Sequence, residues 1–223
     1  MFVGHYAAAF ALKGKEPKAS LGMLFIATQF VDILFFPFAV WGIEHLELIP
    51  NFTEVNDFKM DFPFTHGLVA SILWGVLFYL LYYFIFAKKS EQRKSIALVM
   101  GIAVLSHWFI DLIVHVPDLP LLYDEPKLGF GLWNHKNWAF IVEGFLLLLG
   151  WMYYMQKTQA KKSWGTYVSY LFIAFLLGFN YINFYMSPAP PDNLVIITLT
   201  SLFAFLLLAF LAYIMDRGRT AKA

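Results

Sequence analysis

Long apolar runs alternate with short polar stretches along the whole chain. Six of these runs reach the length of about 20 residues that crosses a bilayer as an α-helix. The polar stretches between them are either basic or rich in proline, aspartate, asparagine and glycine, which is typical of loops. The pattern therefore predicts six transmembrane helices, at about residues 21–43, 65–87, 95–116, 138–155, 166–186 and 194–215.

The composition agrees with a membrane protein. Of the 223 residues, 60% are hydrophobic and only 14% are charged, whereas a soluble domain carries about 25% charged residues. Too little polar surface remains to cover a water-soluble globule, so the bilayer is the expected solvent. Because no linker, repeat or compositional break interrupts the pattern, we expect residues 1–223 to form one all-α integral membrane domain, a bundle of transmembrane helices.

Lysine and arginine residues predict the orientation. Six spans with short loops place all of them on one side of the membrane except Lys59, Lys127 and Lys136. The positive-inside rule assigns that side, with both termini, to the cytoplasm. The net charge of +1 leaves no basic stripe for a nucleic-acid partner. The expected partners are membrane lipids and a small-molecule or lipid substrate, and the sequence does not specify the oligomeric state.

Residues 2–12 form an apolar segment that is too short to cross the membrane. At about 1.5 Å per residue, the segment is predicted to be a half-helix inside the bundle, which would carry His5 toward the membrane centre. A helix that lies in the membrane interface is the alternative.

Several ionisable side chains lie inside the predicted spans, where each is costly unless it is paired. They are Asp32, His66, His107, Asp111, His115 and Glu143. His107 and Asp111 are four residues apart and share a helix face, so both can point at one ion. His115 follows one turn later, rotated by about 80° from His107, and can bind a second ion or the neighbouring loop.

Depth in the membrane brings these residues together. Four of them fall at one depth, roughly 18–24 Å from the basic loops at 1.5 Å per residue: Asp32, His107, Asp111 and Glu143. His66 and His115 lie nearer the opposite surface. Imidazole with carboxylate, in a chain without cysteine, is the ligand set of zinc and also of manganese and non-haem iron. We therefore predict a site for one to three divalent ions, zinc first, with manganese or iron as alternatives.

Structural roles stay open for the same side chains. His107 and Asp111 could form a neutral pair, and Asp32 and Glu143 could satisfy each other's helices or support the ligands. The other polar candidates are expected in loops: Glu44, which could cover the site, His45 and His135.

Several short motifs, taken in order, resemble a known family. They are Gly4-His5, Asp32, Gly42-Ile43-Glu44-His45, Thr65-His66, His107-x-x-x-Asp111-x-x-x-His115-Val-Pro-Asp118 and Gly129-x-Gly131-Leu132-Trp133-Asn134. Over residues 1 to about 145 they resemble the inner-membrane metal-dependent hydrolases, the LexA-binding type of membrane protein. They are also similar to the soluble zinc-dependent phospholipase C and nuclease family. Val31-Asp32 stands where the membrane family has Pro-Asp, and His135 and Glu143 stand where the soluble enzymes have His-x-x-x-Glu.

The resemblance implies a bacterial inner-membrane protein that binds a metal cluster. It implies the metal ligands His5, Asp32, His66, His107 and Asp111, with Glu143 as a further one. We expect a hydrolase that acts at the outer leaflet on a phosphoester such as a lipid headgroup. Glu143 or His115 would take the proton from a metal-bound water, and residues 117–137 would form a lid.

Two other functions use the same buried cluster. A transporter or another ion- or proton-handling protein would use it as a pathway. A structural membrane protein would use it only to fix helix packing, and would hold no metal.

Overall fold

Eight α-helices and three small antiparallel sheets make up residues 1–222, the part of the chain that the computed structural model describes. The helices are α1 (Tyr6–Lys15), α2 (Leu21–Thr28), α3 (Phe30–Val40), α4 (Leu68–Leu81), α5 (Arg93–Val114), α6 (Lys136–Lys157), α7 (Ser163–Tyr185) and α8 (Leu194–Asp216). The strands are β1 (His45–Leu48), β2 (Phe58–Asp61), β3 (Leu119–Leu122), β4 (Glu125–Leu128), β5 (Thr158–Ala160) and β6 (Arg219–Ala221). Short 3₁₀ turns precede α1 and α6, at Val3–His5 and Leu132–Asn134, and a π-helical turn, Tyr82–Phe86, extends α4.

The predicted all-α membrane bundle is confirmed. The helices α5 to α8, and α4 with its π-helical turn, are each long and apolar enough to cross a membrane. The remaining predicted span corresponds to α2 followed by α3, which are long and apolar enough only when taken together, and the prediction of one continuous helix over residues 21–43 is wrong. The two helices meet at Gln29 with a bend of 48°.

The bend has a local cause and a consequence for the site. The Thr28 hydroxyl donates a hydrogen bond to the Phe25 carbonyl oxygen at 3.1 Å, a contact within one turn that competes with regular helix geometry. The Thr28 carbonyl oxygen instead accepts a hydrogen bond from the ring of His107, 2.7 Å away. At the break, the Thr28 carbonyl is therefore available to bind the side chain of His107 on α5.

The N-terminal helix lies inside the bundle, so the half-helix prediction is confirmed and the interfacial alternative is wrong. Tyr6, Ala9 and Phe10 on α1 are fully buried, and α1 packs along α6. The two helices approach closely at Gly150, where a Cβ atom would lie 2.3 Å from the carbonyl oxygen of Ala7. This packing holds His5 in the interior.

A second close approach positions α5, the helix with most of the candidate ligands. A Cβ atom at Gly75 of α4 would lie 2.9 Å from the carbonyl oxygen of Gly101, and one at Gly101 would lie 2.7 Å from that of Gly75. Small residues allow two membrane helices to pack backbone against backbone. The register of α5 against α4 is thus set by a contact that no larger side chain fits.

The polar segments at the end of the bundle away from the basic loops, predicted as loops, contain two hairpins. Strand β1 pairs with β2, and β3 pairs with β4. Lys127 links the hairpins through Asp61, at 3.3 Å, and Asp124, at 2.9 Å. The hydrogen bond from Lys127 lowers the pKa of Asp124. These hairpins cover the end of the bundle where His66 and His115 lie.

Candidate metal centre

The carboxylate of Asp111 lies at the centre of a buried cluster. Its Oδ1 atom is 3.1 Å from Nε2 of His5, and its Oδ2 atom is 2.8 Å from Nε2 of His107 and 3.6 Å from Nε2 of His115. The amino group of Met1 also donates a hydrogen bond to Oδ1, at 2.6 Å. The predicted shared face of His107 and Asp111 is therefore present, and the 3₁₀ turn before α1 adds His5 to it.

Asp32 on α3 brings the second carboxylate. Its Oδ1 atom lies 3.2 Å from Nε2 of His66, and its Oδ2 atom lies 3.8 Å from Nε2 of His107. The Asp32 side chain is 19% exposed, whereas the side chains of His66 and His107 are at most 3% exposed. His107 thus stands between two carboxylates, and Asp32 is on the more open side of the cluster.

Two overlapping sets of three side chains in this cluster, called here the metal-spaced groups, have ligand atoms close enough together to bind one ion. Donor atoms of His5, Asp32 and His107 lie within 4.8 Å of one another, and so do those of His66, His107 and Asp111. His/Asp sets of this kind bind divalent metal ions such as zinc. The residues at the centre of the bundle can therefore hold a metal ion, which agrees with the prediction of a divalent-metal cofactor at this coarser level.

In three histidines the ring nitrogen that faces away from the cluster, Nδ1, lies at hydrogen-bond distance from another group. Nδ1 lies 2.7 Å from the Thr28 carbonyl oxygen in His107, 2.8 Å from Oγ1 of Thr65 in His66 and 2.8 Å from an oxygen of Asp118 in His115. A carbonyl oxygen can only accept, so Nδ1 of His107 carries a proton, and in the neutral ring Nε2 then has the lone pair that a metal needs. Metal-binding histidines usually have this arrangement.

Nε2 of His66 is within hydrogen-bond distance of Asp32, but other histidine nitrogens in the cluster have no such partner. Among residues 1–222, Nε2 of His107 and both ring nitrogens of His5 are buried without a hydrogen-bond partner. Nε2 of His107 is only 2.8 Å from the Asp111 carboxylate, yet the two atoms are not aligned as donor and acceptor. Buried polar atoms without partners are rare, and an ion placed near the carboxylates would satisfy Nε2 of His107 and one ring nitrogen of His5.

A chain of hydrogen bonds supports His66 from behind. The hydroxyl of Thr65 donates to Oε2 of Glu44 at 2.8 Å, so its oxygen is free to accept from Nδ1 of His66. Glu44 is fully buried and also accepts the backbone N–H groups of Phe64 and Thr65. Burial raises the pKa of Glu44 above its ordinary value. Glu44, predicted in a loop near the site, thus supports His66 through Thr65.

Glu143 and His115, the predicted bases, have different surroundings. Oε1 of Glu143 accepts the backbone N–H groups of Phe2, at 2.7 Å, and Gly4, at 2.9 Å. Glu143 therefore holds the start of the N-terminal half-helix and belongs to neither metal-spaced group. His115 stands beside Asp111 and packs against the ring of Trp133, 4.1 Å away. The catalytic roles of both residues remain predictions.

The two other histidines stay away from the cluster. His45 and His135 are exposed, and neither belongs to the metal-spaced groups.

The sequence predicts only some of the contacts that support the histidines. Asp118 is in a recognised motif and follows His115 by three residues, which is a usable signal, whereas nothing in the sequence marks the carbonyl of Thr28.

Comparison with protein-family models, with curated proteins and with solved structures finds no match for this chain. The resemblance to membrane hydrolases therefore remains a prediction from short motifs. Arguments about function depend on the geometry of the cluster itself.

Replacing Thr65 by valine tests whether the support of His66 matters. Thr65→Val keeps the size of the side chain but removes the acceptor for Nδ1, so we expect zinc affinity to fall about 10–100-fold, as for other contacts behind a metal ligand. Competition with a chromophoric chelator measures this affinity. Thr200→Val is the matched control, because the Thr200 hydroxyl bonds only to carbonyl oxygens of its own helix. Equal affinities in wild type and Thr65→Val would show that the hydroxyl does not orient His66.

Proposed function

We propose that this chain is a zinc-type, metal-dependent membrane hydrolase that acts on a phosphoester, such as a lipid headgroup, at the outer leaflet. One observation carries the proposal. Three histidines have their Nδ1 atoms held by other groups, while their Nε2 atoms point toward the carboxylates of Asp32 and Asp111. This arrangement fixes the ligands before any ion binds, which is what a site needs if it is to hold metal in one geometry.

The donor set fits a hard or borderline divalent ion. Imidazole nitrogens and carboxylate oxygens, without sulfur, are ligands for zinc and also for manganese or iron. Such an ion lowers the pKa of a bound water toward about 7 and thereby supplies a nucleophile at neutral pH. His5, Asp32, His66, His107 and Asp111 are the proposed ligands.

Between the two predicted bases, the contacts favour His115. Its Nδ1 atom is bonded to Asp118 at 2.8 Å, so Nε2 is the nitrogen that can accept a proton from substrate-side water, and Asp118 stabilises the charged ring that results. One oxygen of Glu143 already accepts two backbone N–H groups. Its contribution is to position α1 and, with it, His5.

An apolar groove of about 580 Å³ runs beside the Thr65-His66 turn. Aromatic and aliphatic side chains line it, among them Phe64, Leu73, Trp74 and Tyr123. Within a membrane, a groove of this chemistry suits an acyl chain. This supports a lipid rather than a water-soluble phosphoester as the substrate.

The alternative, an ion-handling protein, needs a polar route from the cluster toward the basic end of the bundle. Fully buried apolar side chains occupy that direction along α1, including Phe10, Phe25 and Leu147. The next buried ion pair, Lys13 with Asp216 at 2.7 Å, lies beyond them. The packing therefore favours a site that opens on one side only.

Metal removal tests the proposal. Protein reconstituted in phospholipid vesicles should release phosphorylated headgroup or hydrolyse a nitrophenyl phosphodiester when loaded with zinc. Chelation should abolish this activity, and zinc should restore it. His115→Gln, in metal-loaded form, should lower the rate by about 10²-fold or more, while His135→Gln should leave it unchanged.

A metal-loaded, folded protein that hydrolyses neither substrate would rule out the hydrolase. Zinc flux across the same vesicles would then favour the ion-handling alternative.

A further inference from the structure

A second pocket lies at the opposite, basic end of the bundle. It has a volume of about 380 Å³ and is framed by the segment between α1 and α2, the turn before α7 and the chain that follows α8. Five cationic side chains line it: Lys13, Lys18, Lys161, Arg217 and Arg219. Asp216 is the acidic residue in the lining.

Asp216 does not balance this charge. Its carboxylate is paired with Lys13 at 2.7 Å and accepts a hydrogen bond from the Tyr154 hydroxyl at 2.9 Å. The exposed cations meet only neutral acceptors. Lys18 donates to the side-chain oxygen of Gln92, and Lys161 donates to the carbonyl oxygen of Arg217. The pocket therefore keeps an excess of positive charge.

Arg219 is the most informative of the five residues. It is only 5% exposed, and its guanidinium donates to the hydroxyl and carbonyl oxygens of Thr158 and to the hydroxyl of Ser169. Within residues 1–222 no carboxylate lies at salt-bridge distance from it. A buried cation without a counter-ion is costly, and a guanidinium has five N–H donors, so Arg219 retains capacity for an anion.

The start of α2 borders the same pocket. Ser20 lines the pocket and caps the helix by accepting the backbone N–H group of Met23. The other N–H groups of a first helical turn have no partner within the helix and favour negative charge. The helix N-terminus and the cationic side chains therefore both favour an anion at this pocket.

We propose that this pocket binds the phosphate of an anionic phospholipid headgroup. Tyr213, which lines the pocket, is 46% exposed, and the neighbouring Phe210 and Ile214 on α8 are 57% and 44% exposed. Acyl chains can therefore lie along this face of α8 while the phosphate enters the pocket. Basic pockets between membrane helices at the cytoplasmic side bind anionic headgroups in this way. The proposal is independent of the metal centre and of any hydrolase activity.

Native mass spectrometry of the delipidated protein, titrated with phosphatidylglycerol or phosphatidylcholine, tests the proposal. Wild type should prefer phosphatidylglycerol. Lys18→Ala/Lys161→Ala/Arg217→Ala should lose about tenfold or more of this affinity, and Lys18→Gln alone should lose about fivefold. The control Lys88→Ala/Lys89→Ala/Lys94→Ala removes the same charge from the same end of the bundle, at exposed residues outside the pocket, and should retain the affinity.

Three results would overturn the proposal. The first is equal binding of both lipids by wild type, which would show no preference for an anionic headgroup. The second is an equal loss of phosphatidylglycerol affinity in the pocket and control variants, which would indicate general attraction of charge. Displacement of phosphatidylglycerol by millimolar inorganic phosphate would assign the pocket to a free anion instead. Thermal unfolding of each variant in detergent confirms that it is folded before titration.

Discussion

The double variant His107→Ala/Asp111→Ala is expected to bind no metal, whereas wild-type protein purified in detergent should carry stoichiometric zinc, manganese or iron. His107 belongs to both metal-spaced groups, and Asp111 contacts three of the histidines. Their joint removal therefore leaves neither group intact. Elemental analysis of the purified proteins measures the difference directly.

The control for this experiment is His45→Ala/His135→Ala, which removes two exposed histidines outside the cluster and should leave the metal content unchanged. A thermal shift gives a second readout. Saturating zinc should raise the unfolding temperature of wild type, since a ligand that binds only the folded state stabilises it, and should not change that of the double variant. Wild-type protein that stays free of metal after reconstitution with all three ions would contradict the metal centre and favour a packing role for the cluster.

Gly150→Val is expected to destabilise the bundle and to weaken metal binding at the same time. A Cβ atom at this position would lie 2.3 Å from the carbonyl oxygen of Ala7 and 2.8 Å from its Cα atom. Backbone atoms cannot move aside as a flexible side chain can, so α1 must shift away from α6. Overpacking of this kind costs about 1–3 kcal/mol, and more where the backbone must move.

The shift of α1 would also carry His5 away from Asp111. The unfolding temperature in detergent and the zinc stoichiometry together report both effects. Gly178→Ala is the matched control, because a Cβ atom there meets no neighbouring atom within 4 Å, and alanine is favoured over glycine in a helix interior by about 1 kcal/mol. If Gly150→Val lowers the unfolding temperature but keeps full zinc affinity, His5 is not a ligand.

The sequence predicted the bundle and the centre of the cluster because both depend on spacing within single helices. Apolar run length gives the spans, and a separation of four residues places His107 and Asp111 on one face. Depth along the spans then brought Asp32 to the same level. The distance between Asp32 and His107, 3.8 Å, agrees with that reasoning.

Some contacts that orient the ligands could not be predicted in this way, because they join segments far apart in the chain. The carbonyl of Thr28 is released by a bend between two helices, and only the packing of α5 shows that His107 uses it. Glu44 reaches the Thr65 hydroxyl because the chain turns at Gly42, whose positive φ of 71° suits glycine. Glu143 accepts hydrogen bonds from backbone N–H groups, and the spacing of polar residues cannot predict a backbone donor.

The two metal-spaced groups share one residue, and this limits how the cluster can be filled. Nε2 of His107 can coordinate a single ion at a time, while each carboxylate has two oxygens and can bridge. A first ion that takes His107 leaves the second group with only two of its three donors. Successive ions would therefore bind with unequal affinity, and a titration with zinc would show a tight step followed by a weaker one rather than two equivalent sites.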